Sequence, residues 1–381
     1  MQFRRFGKMK RIAIIGASTG QIALCKKAKQ YGIYTICFAW KDGAICDKLV
    51  DKFYPISIDD VDYIVEICKR ENVDGIVTNG SDFTAEKATI IANKMGLIAN
   101  PLNVFETFKN KYNVRKISND LQGFSQIKFY LYEGKMPDKF PVVVKPVVGG
   151  GKKGVCYAEN GKDFLKAVDY GKSQSDELLM VEQFINGREI SVESLSYKGT
   201  HYVVQITDKE STGAPHFVEI GHHQPALLSL ALQDRIKKCI NELLTAVGYM
   251  NGATHIELKI DANDNIYLIE MNMRGGGDEI SNQLVELSTG YDYIKGIIDI
   301  SLGVFNPPEI INKMHSGIFF LCEQTKKYLN YFIAESSNLV VDKHILSVDL
   351  TQSTSNRDRN GYVVYQSDHK IRIDEISKTI I

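Results

Sequence analysis

The chain has 381 residues, enough for two or three domains with sizeable buried cores. Lysine plus arginine and aspartate plus glutamate number 46 each, so the formal net charge is zero and no global field draws the protein to nucleic acid or to an anionic membrane. A 44% hydrophobic and 24% charged composition is that of a soluble globular protein, and no apolar run approaches the length of a membrane span. Any phosphate-binding charge must therefore be local.

The N-terminus is basic (Arg4, Arg5, Lys8, Lys10, Arg11), but the apolar run behind it stops at Gly16, too short for a signal-peptide core. From Lys10 to about Pro101 short apolar runs alternate with helical stretches: Arg11–Ile15, Ile22–Tyr31, Tyr34–Ala39, Val61–Glu71 and Gly75–Thr78. That alternation predicts βαβ units and a parallel sheet. The turn Gly16-Ala17-Ser18-Thr19-Gly20 opens a helix but lacks the G-x-G-x-x-G pattern, which weakens a dinucleotide-dependent oxidoreductase reading without removing it. One polar helical stretch is expected over Val104–Leu121. An α+β region with antiparallel strands follows: strands at Phe129–Tyr132 and Val142–Val148, a helix at Lys162–Tyr170, a strand at Leu178–Ile185 and a hairpin over Glu189–Thr207. A helix at Ala231–Val247, a strand pair over 253–273 and a helix at Gln283–Leu287 come next. From Ser316 onward short strands alternate with polar turns that carry no obvious chemistry. The seven cysteines are scattered, odd in number and never spaced as metal or redox pairs, so reduced buried thiols and a cytoplasmic location are expected.

Strand alternation in Thr254–Asp261 places His255, Glu257 and Lys259 on one face, and in Ile266–Arg274 it groups Leu268, Glu270, Asn272 and Arg274. The intervening Asp261-Ala262-Asn263-Asp264-Asn265 suits a tight turn, so the runs should pair as an antiparallel hairpin. A turn centred on Asn263-Asp264 puts Glu257 opposite Glu270, and a two-residue shift puts it opposite Asn272; either way the oxygen donors share a face. Two carboxylates and an amide without a nearby Cys or His pair suit Mg²⁺ or Mn²⁺ rather than structural zinc. The alternative is a solvated polar face.

Upstream, Val142-Val143-Val144-Lys145-Pro146 buries one lysine in an apolar strand, where it needs a partner anion. Gly149-Gly150-Gly151 follows, allowing backbone N–H groups close to phosphates, with Lys152 and Lys153 adding positive charge. In Val181-Glu182-Gln183-Phe184-Ile185-Asn186-Gly187-Arg188-Glu189 the backbone suits an adenine edge, with Phe184 and Ile185 against the ring and Glu189 reaching ribose hydroxyls. Read without context it is a strand connection.

Taken in order, Lys111, Lys145-Pro146, the glycine-rich loop, the 181–189 segment, His255-Ile256-Glu257 and Glu270-Met271-Asn272-Met273-Arg274 resemble the ATP-grasp carboxylate–amine ligases, over roughly residues 10–305. The resemblance implies an α/β and α+β architecture. It has an N-terminal Rossmann-like domain (1–105), an ATP-grasp domain (106–305, lobes about 106–180 and 181–305) and a β-rich C-terminal region (306–381). It places Lys111 and Lys145 on ATP phosphates, Glu182 and Ile185 at adenine and Glu189 at ribose, with Glu257, Glu270 and Asn272 on magnesium. Within the family the chain looks most like L-amino acid ligases, through Glu219-Ile220-Gly221-His222-His223-Gln224-Pro225-Ala226 and Gly275-Gly276-Gly277-Asp278. Phosphoribosylglycinamide synthetase is a more distant resemblance. Lys152 and Lys153 stand where many relatives have small hydroxyl residues. The implied reaction runs from a small-molecule carboxylate and ATP, through an acyl phosphate, to an amide, with Lys145 and Arg274 on developing negative charge. His222, Arg274 and Asp278 are candidates to hold substrate, Asp278 by gripping the substrate's amine. A small-molecule phosphotransferase shares the first step, and the oligomeric state is open, a homodimer being one option.

Overall fold

The computed structural model describes residues 9–311 and 313–378. Of the basic lead-in, Arg4, Arg5 and Lys8 lie outside the described residues. The chain begins β1 (Arg11–Ile15), α1 (Thr19–Gln30), β2 (Tyr34–Ala39), β3 (Lys52–Pro55), α2 (Val61–Arg70), β4 (Gly75–Val77) and α3 (Asp82–Met95). Its four strands are parallel in the order β3-β2-β1-β4, as the alternation predicts, with β3 and α3 added. β1 is apolar throughout its centre because both faces are covered: Ile12 and Ile14 join the core that contains α1, Ala13 and Ile15 the core of α2 and α3. The Gly16–Gly20 turn is packed shut. A Cβ on Gly20 would stand 2.9 Å from the Asn79 carbonyl oxygen, and the Gln21 side chain accepts from Ser18 N–H at 2.9 Å while donating to that same carbonyl.

The single helix expected over Val104–Leu121 is two, α4 (Leu102–Lys109) and α5 (Lys111–Asp120). Asn110 breaks them: it leaves helical geometry at φ −96°, ψ 99°, and its side chain caps α5 by accepting from Asn113 N–H at 3.0 Å. Next come β5 (Phe129–Leu131), β6 (Val142–Pro146), β7 (Cys156–Ala158), α6 (Gly161–Gln174) and β8 (Leu179–Gln183). These strands form an antiparallel sheet in the order β5-β8-β6-β7, with Phe164, Ala167 and Val168 of α6 packed on Val142, Val144 and Val181.

The remaining elements are β9 (Arg188–Tyr197), β10 (Thr200–Ser211), β11 (Glu219–Gln224), α7 (Leu230–Ala246), β12 (Gly252–Ile260), β13 (Ile266–Asn272), α8 (Val285–Thr289), α9 (Tyr293–Leu302), β14 (His315–Leu321), α10 (Leu329–Ile333), β15 (Val340–Ile345) and β16 (Gly361–Ser367). The helix read at Gln283–Leu287 is a wide π turn over Ile280–Leu284 running into α8. α9 escapes a periodicity reading because seven of its ten residues are buried, so it has little polar face to set a phase. All eight strands pair antiparallel in one sheet, β13-β12-β9-β10-β11-β14-β16-β15, so the C-terminal strands continue the sheet begun by β9. Against one face lie Ile236, Ile240, Leu243 and Leu244 of α7, over Ile190, Val192, Ile206, Ile256 and Leu258. Period-two alternation then turns Glu189, Ser191, Glu193, His255 and Glu257 to the opposite face.

In the first sheet, Glu71 at the end of α2 meets Lys52 (2.5 Å), Arg11 (2.7 Å) and the Tyr54 hydroxyl (2.7 Å). The Lys52 ammonium above all, then the Tyr54 hydroxyl, hold its carboxyl down at about 2. With an unfolded value of roughly 4.3, its stabilisation is complete above that pH and is lost as pH falls toward 2. Urea unfolding of Glu71→Gln should therefore show a shallower loss of stability across that window than the wild-type protein.

Candidate nucleotide and metal site

Three strands build a polar wall. Lys259, Glu189 and Lys209 are register partners across β12, β9 and β10, and one step further along stand Glu257 and Ser191, then His255 and Glu193. Lys209, only 3% exposed, sets its Nζ 2.5 Å from Glu257, 3.1 Å from Glu189 and 3.1 Å from Glu219 of β11. Burial alone would lower the Lys209 pKa, but the charges of Glu219, Glu257 and Glu189 outweigh it and raise it well above the lysine range. Burial likewise opposes ionisation of Glu257, and Lys209 and then His255 overcome it, leaving the carboxyl depressed. Glu189, Glu219 and Glu257 offer carboxylate oxygens within 4.8 Å of one another, and carboxylate oxygens of Glu219 and Asp278 with a ring nitrogen of His222 form a second such group.

Glu257 lies opposite Glu270, the unshifted of the two registers, and His255 lies opposite Asn272. One sequence expectation is corrected here. Leu268 does not share the Glu270 face, because the ladder shifts between Glu257 and Leu258, leaving Ile269 as an extra residue that reverses the phase. Leu268 therefore joins the α7 core while Glu270 turns toward the cleft. Arg115 of α5 holds this bulge by donating to the Leu268 carbonyl and, at 3.3 Å, to the Ile269 carbonyl. Glu270 is 3.0 Å from Lys111, whose Nζ also donates to the Gly149 carbonyl. Lys111, Gly149, Gly150, Glu270 and Asn272 line one cavity of about 220 Å³, floored by Phe105, Phe108 and Met271.

On the small sheet, Lys145 (β6) and Glu182 (β8) meet at 2.5 Å, and Arg115 donates to the second Glu182 oxygen at 3.1 and 3.2 Å. All three are buried. Burial opposes the Glu182 charge, but Lys145 and then Arg115 hold its pKa below the usual range. Lys259 crosses from β12, 4.5 Å above the Phe184 ring, and donates to the Ile185 carbonyl at 3.1 Å; Tyr157 and Phe217 complete an aromatic patch around Phe184. Glu189 is the register partner of Lys259 and is held 3.1 Å from Lys209. Gln183 points to solvent while its N–H serves the Lys128 carbonyl, and Lys153 is exposed, so neither side chain joins the cluster. Lys152 does: at φ +60°, beside Gly151 at φ +64°, it turns back to donate to the Phe217 carbonyl at 3.0 Å and meets Glu219 at 3.3 Å.

Past Glu219, His222 is fully buried, with Nε2 3.4 Å from Glu219 and 3.5 Å from Asp278. Burial works against its protonation, yet Asp278 and then Glu219 raise its pKa. Asp278 is gripped on both oxygens by Arg359 (2.6 and 2.9 Å), which lies over the Phe320 ring. The C-terminal tail, read as chemically silent, thus delivers an arginine to this end. Arg274 does not itself line the 220 Å³ cavity but borders it, its Nε 3.2 Å from Asp82 of α3, which does line it, while it donates to the Gly275 carbonyl at 3.0 Å.

Sequence reasoning did not single out Arg115, Lys209, Lys259 or Arg359 for the site. The lone-lysine rule that exposes Lys145 among valines has no contrast at Lys209, which sits in Thr207-Asp208-Lys209-Glu210. Arg115 is one of four cations between 109 and 116, and Arg359 is 81 positions from Asp278.

Residues 138–283 match the ATP-grasp domain family. Among curated proteins it is 24% identical over 190 residues to the mitochondrial propionyl-CoA carboxylase alpha chain of Caenorhabditis briggsae, an alignment covering 45% of this chain and 25% of that one. The chain spans about a quarter of the length of the first such relatives. Among solved structures, an L-amino acid ligase from Bacillus licheniformis superposes with a TM-score of 0.79 at 21% identity, covering 94% of each chain. Phosphoribosylglycinamide synthetase from Anaerococcus prevotii does so at 0.72 and 19%, again over 94% of each. Among the described residues no helix is long and apolar enough to cross a membrane.

Arg115→Met leaves Glu182 one partner short and strips the bulge carbonyls of their donor in a buried setting, so urea unfolding should show a loss of about 3–5 kcal/mol.

Proposed function

We propose that the protein is an ATP-dependent carboxylate–amine ligase that joins an amino acid, as one substrate, to its partner through an amide bond. What carries the reading is the pairing of Glu257 with Glu270 across β12 and β13, with Lys111 and the glycine loop beside Glu270. Two facing carboxylates and the Asn272 amide are hard oxygen donors that fit Mg²⁺ or Mn²⁺, and in this structure lysines balance both carboxylates. A divalent cation bound there would neutralise phosphate charge. Lys111, Lys145, Gly149, Gly150 and Gly151 are assigned to the ATP phosphates, with Lys153 following the loop in from its exposed position. Glu182, Gln183, Phe184 and Ile185 are assigned to adenine, Gln183 through its backbone, and Glu189 to ribose. The flat Phe184 face with Lys259 above it suits a purine.

In this reading a substrate carboxylate attacks the γ-phosphate, giving an acyl phosphate and ADP, and an amine then displaces phosphate. Lys145 and Arg274 stabilise the charge that develops, and positioning supplies most of the remaining rate. His222, Arg274 and Asp278 form the substrate end, where Arg359 fixes the Asp278 carboxylate. No covalent nucleophile is required.

The test is ADP and phosphate release over pairs of amino acids and other small carboxylates and amines, with mass spectrometry of the products. An amide product with stoichiometric ADP is expected. A stable phosphorylated product would instead define a phosphotransferase. Glu270→Ala should lower turnover by roughly a hundredfold or more, and near wild-type rates would remove Glu270 from the metal site. NAD(P)H fluorescence should not respond to the protein, since Gly20 and Gln21 are packed on Asn79 where a dinucleotide would have to approach.

A further inference from the structure

Behind the metal wall is a carboxylate that the proposed reaction does not use. Glu193 of β9 is fully buried, and its two oxygens serve different parts of the molecule. Oε1 bonds His255 Nδ1, and Oε2 accepts the Gly276 N–H at 2.9 Å. The other ring nitrogen of His255 faces Glu257 at 3.4 Å. The approach is so close that a Cβ on Gly276 would lie 2.8 Å from His255 Nδ1 and 2.9 Å from Glu193 Oε1, so only glycine fits. Gly276 is held from its other side as well: Ser281 donates to its carbonyl at 2.6 Å, and Asn79 of the first domain donates to Ser281 at 2.9 Å while accepting the Gly275 N–H at 3.0 Å. Asp278 and Glu279, just beyond, both adopt left-handed backbone (φ +52° and +62°), which costs energy unless the surroundings enforce it.

We propose that Glu193 is a positioning residue that couples the metal wall to the 275–281 segment, orienting Glu257 through His255 while fixing the Gly276 backbone. The inference rests on the proposed reading of Glu257 as a metal ligand. A buried carboxylate is costly unless fully paired, and an apolar pair of the same volume would serve stability as well. What this pair adds is orientation, of the kind that hydrogen-bond partners behind metal ligands provide. Loading the wall with cation and nucleotide draws on Glu257, and the relay passes that constraint to the segment carrying Asp278. The segment at the substrate end is then ordered once the nucleotide end is filled.

The test uses the full chain with Mn²⁺ and ADP as probes, so no substrate need be known. Mn²⁺ affinity in the presence of ADP is read by electron paramagnetic resonance, and hydrogen–deuterium exchange of the 275–281 peptide is followed with and without saturating Mn²⁺·ADP. Wild-type protein is expected to bind Mn²⁺ and to slow exchange over 275–281 on loading. Glu193→Gln should weaken Mn²⁺ binding about tenfold and abolish the loading-dependent slowing. Ser281→Ala, which loosens the segment from its far side, should speed exchange in both states and leave Mn²⁺ affinity unchanged. If wild-type protein binds no Mn²⁺ with ADP, the metal-site reading fails and takes this inference with it. Should it bind while Glu193→Gln matches its affinity or its loading-dependent slowing, the metal site stands and the coupling is refuted.

Discussion

The site is organised around one buried ammonium. Lys209 sits among Glu189, Glu219 and Glu257, three carboxylates from three strands that would otherwise repel one another in a poorly solvated cleft. An uncompensated buried charge costs several kcal/mol, so the cluster is tolerable only because β9, β10, β11 and β12 stand in the register that brings all four groups together. That register follows from the apolar residues on the opposite face: Ile190, Val192, Ile206, Ile256 and Leu258 must meet α7, and a one-residue slip would bury the acids instead. The core fixes the phase of the wall, and Lys209 makes its charge bearable.

Arg115 plays a comparable part between the sheets. From α5 it reaches Glu182 on the small sheet and the Leu268 and Ile269 carbonyls on the large one. Lys145, Glu182 and the β13 bulge are thereby held in one frame. The bulge is what separates Leu268 from Glu270, so the same contact that joins the sheets also turns a carboxylate to the cleft.

Much of this was legible in the amino-acid order where the signal is local. The parallel first sheet and the β12–β13 hairpin follow from alternation and turn chemistry, and Lys145 stands out against its valines; the facing of Glu257 and Glu270 is one of two registers that the turn leaves open, and it is reached through the bulge at Ile269. Features set by long-range contact were not. The extra residue at Ile269 leaves only a faint local trace, two apolar residues side by side at Leu268-Ile269, and the pairing with β12 is what shows that the phase reverses there. The break at Asn110 is a capping decision between two stretches that are each helical. Arg359 becomes meaningful only when β16 and β14 join the large sheet beside β11 and bring the tail to Asp278.

The sheet that carries the wall has two open sides, and they are finished differently. At one end β15 presents its backbone outward with Asp342, Lys343 and His344 along it and a register break at Val340–Asp342, features that discourage a foreign strand from adding on. At the other end β13 would expose carbonyls of its own, but Arg115 takes those of Leu268 and Ile269. The arginine that frames the cleft therefore also guards the protein against edge-to-edge aggregation on the side where it must stay accessible.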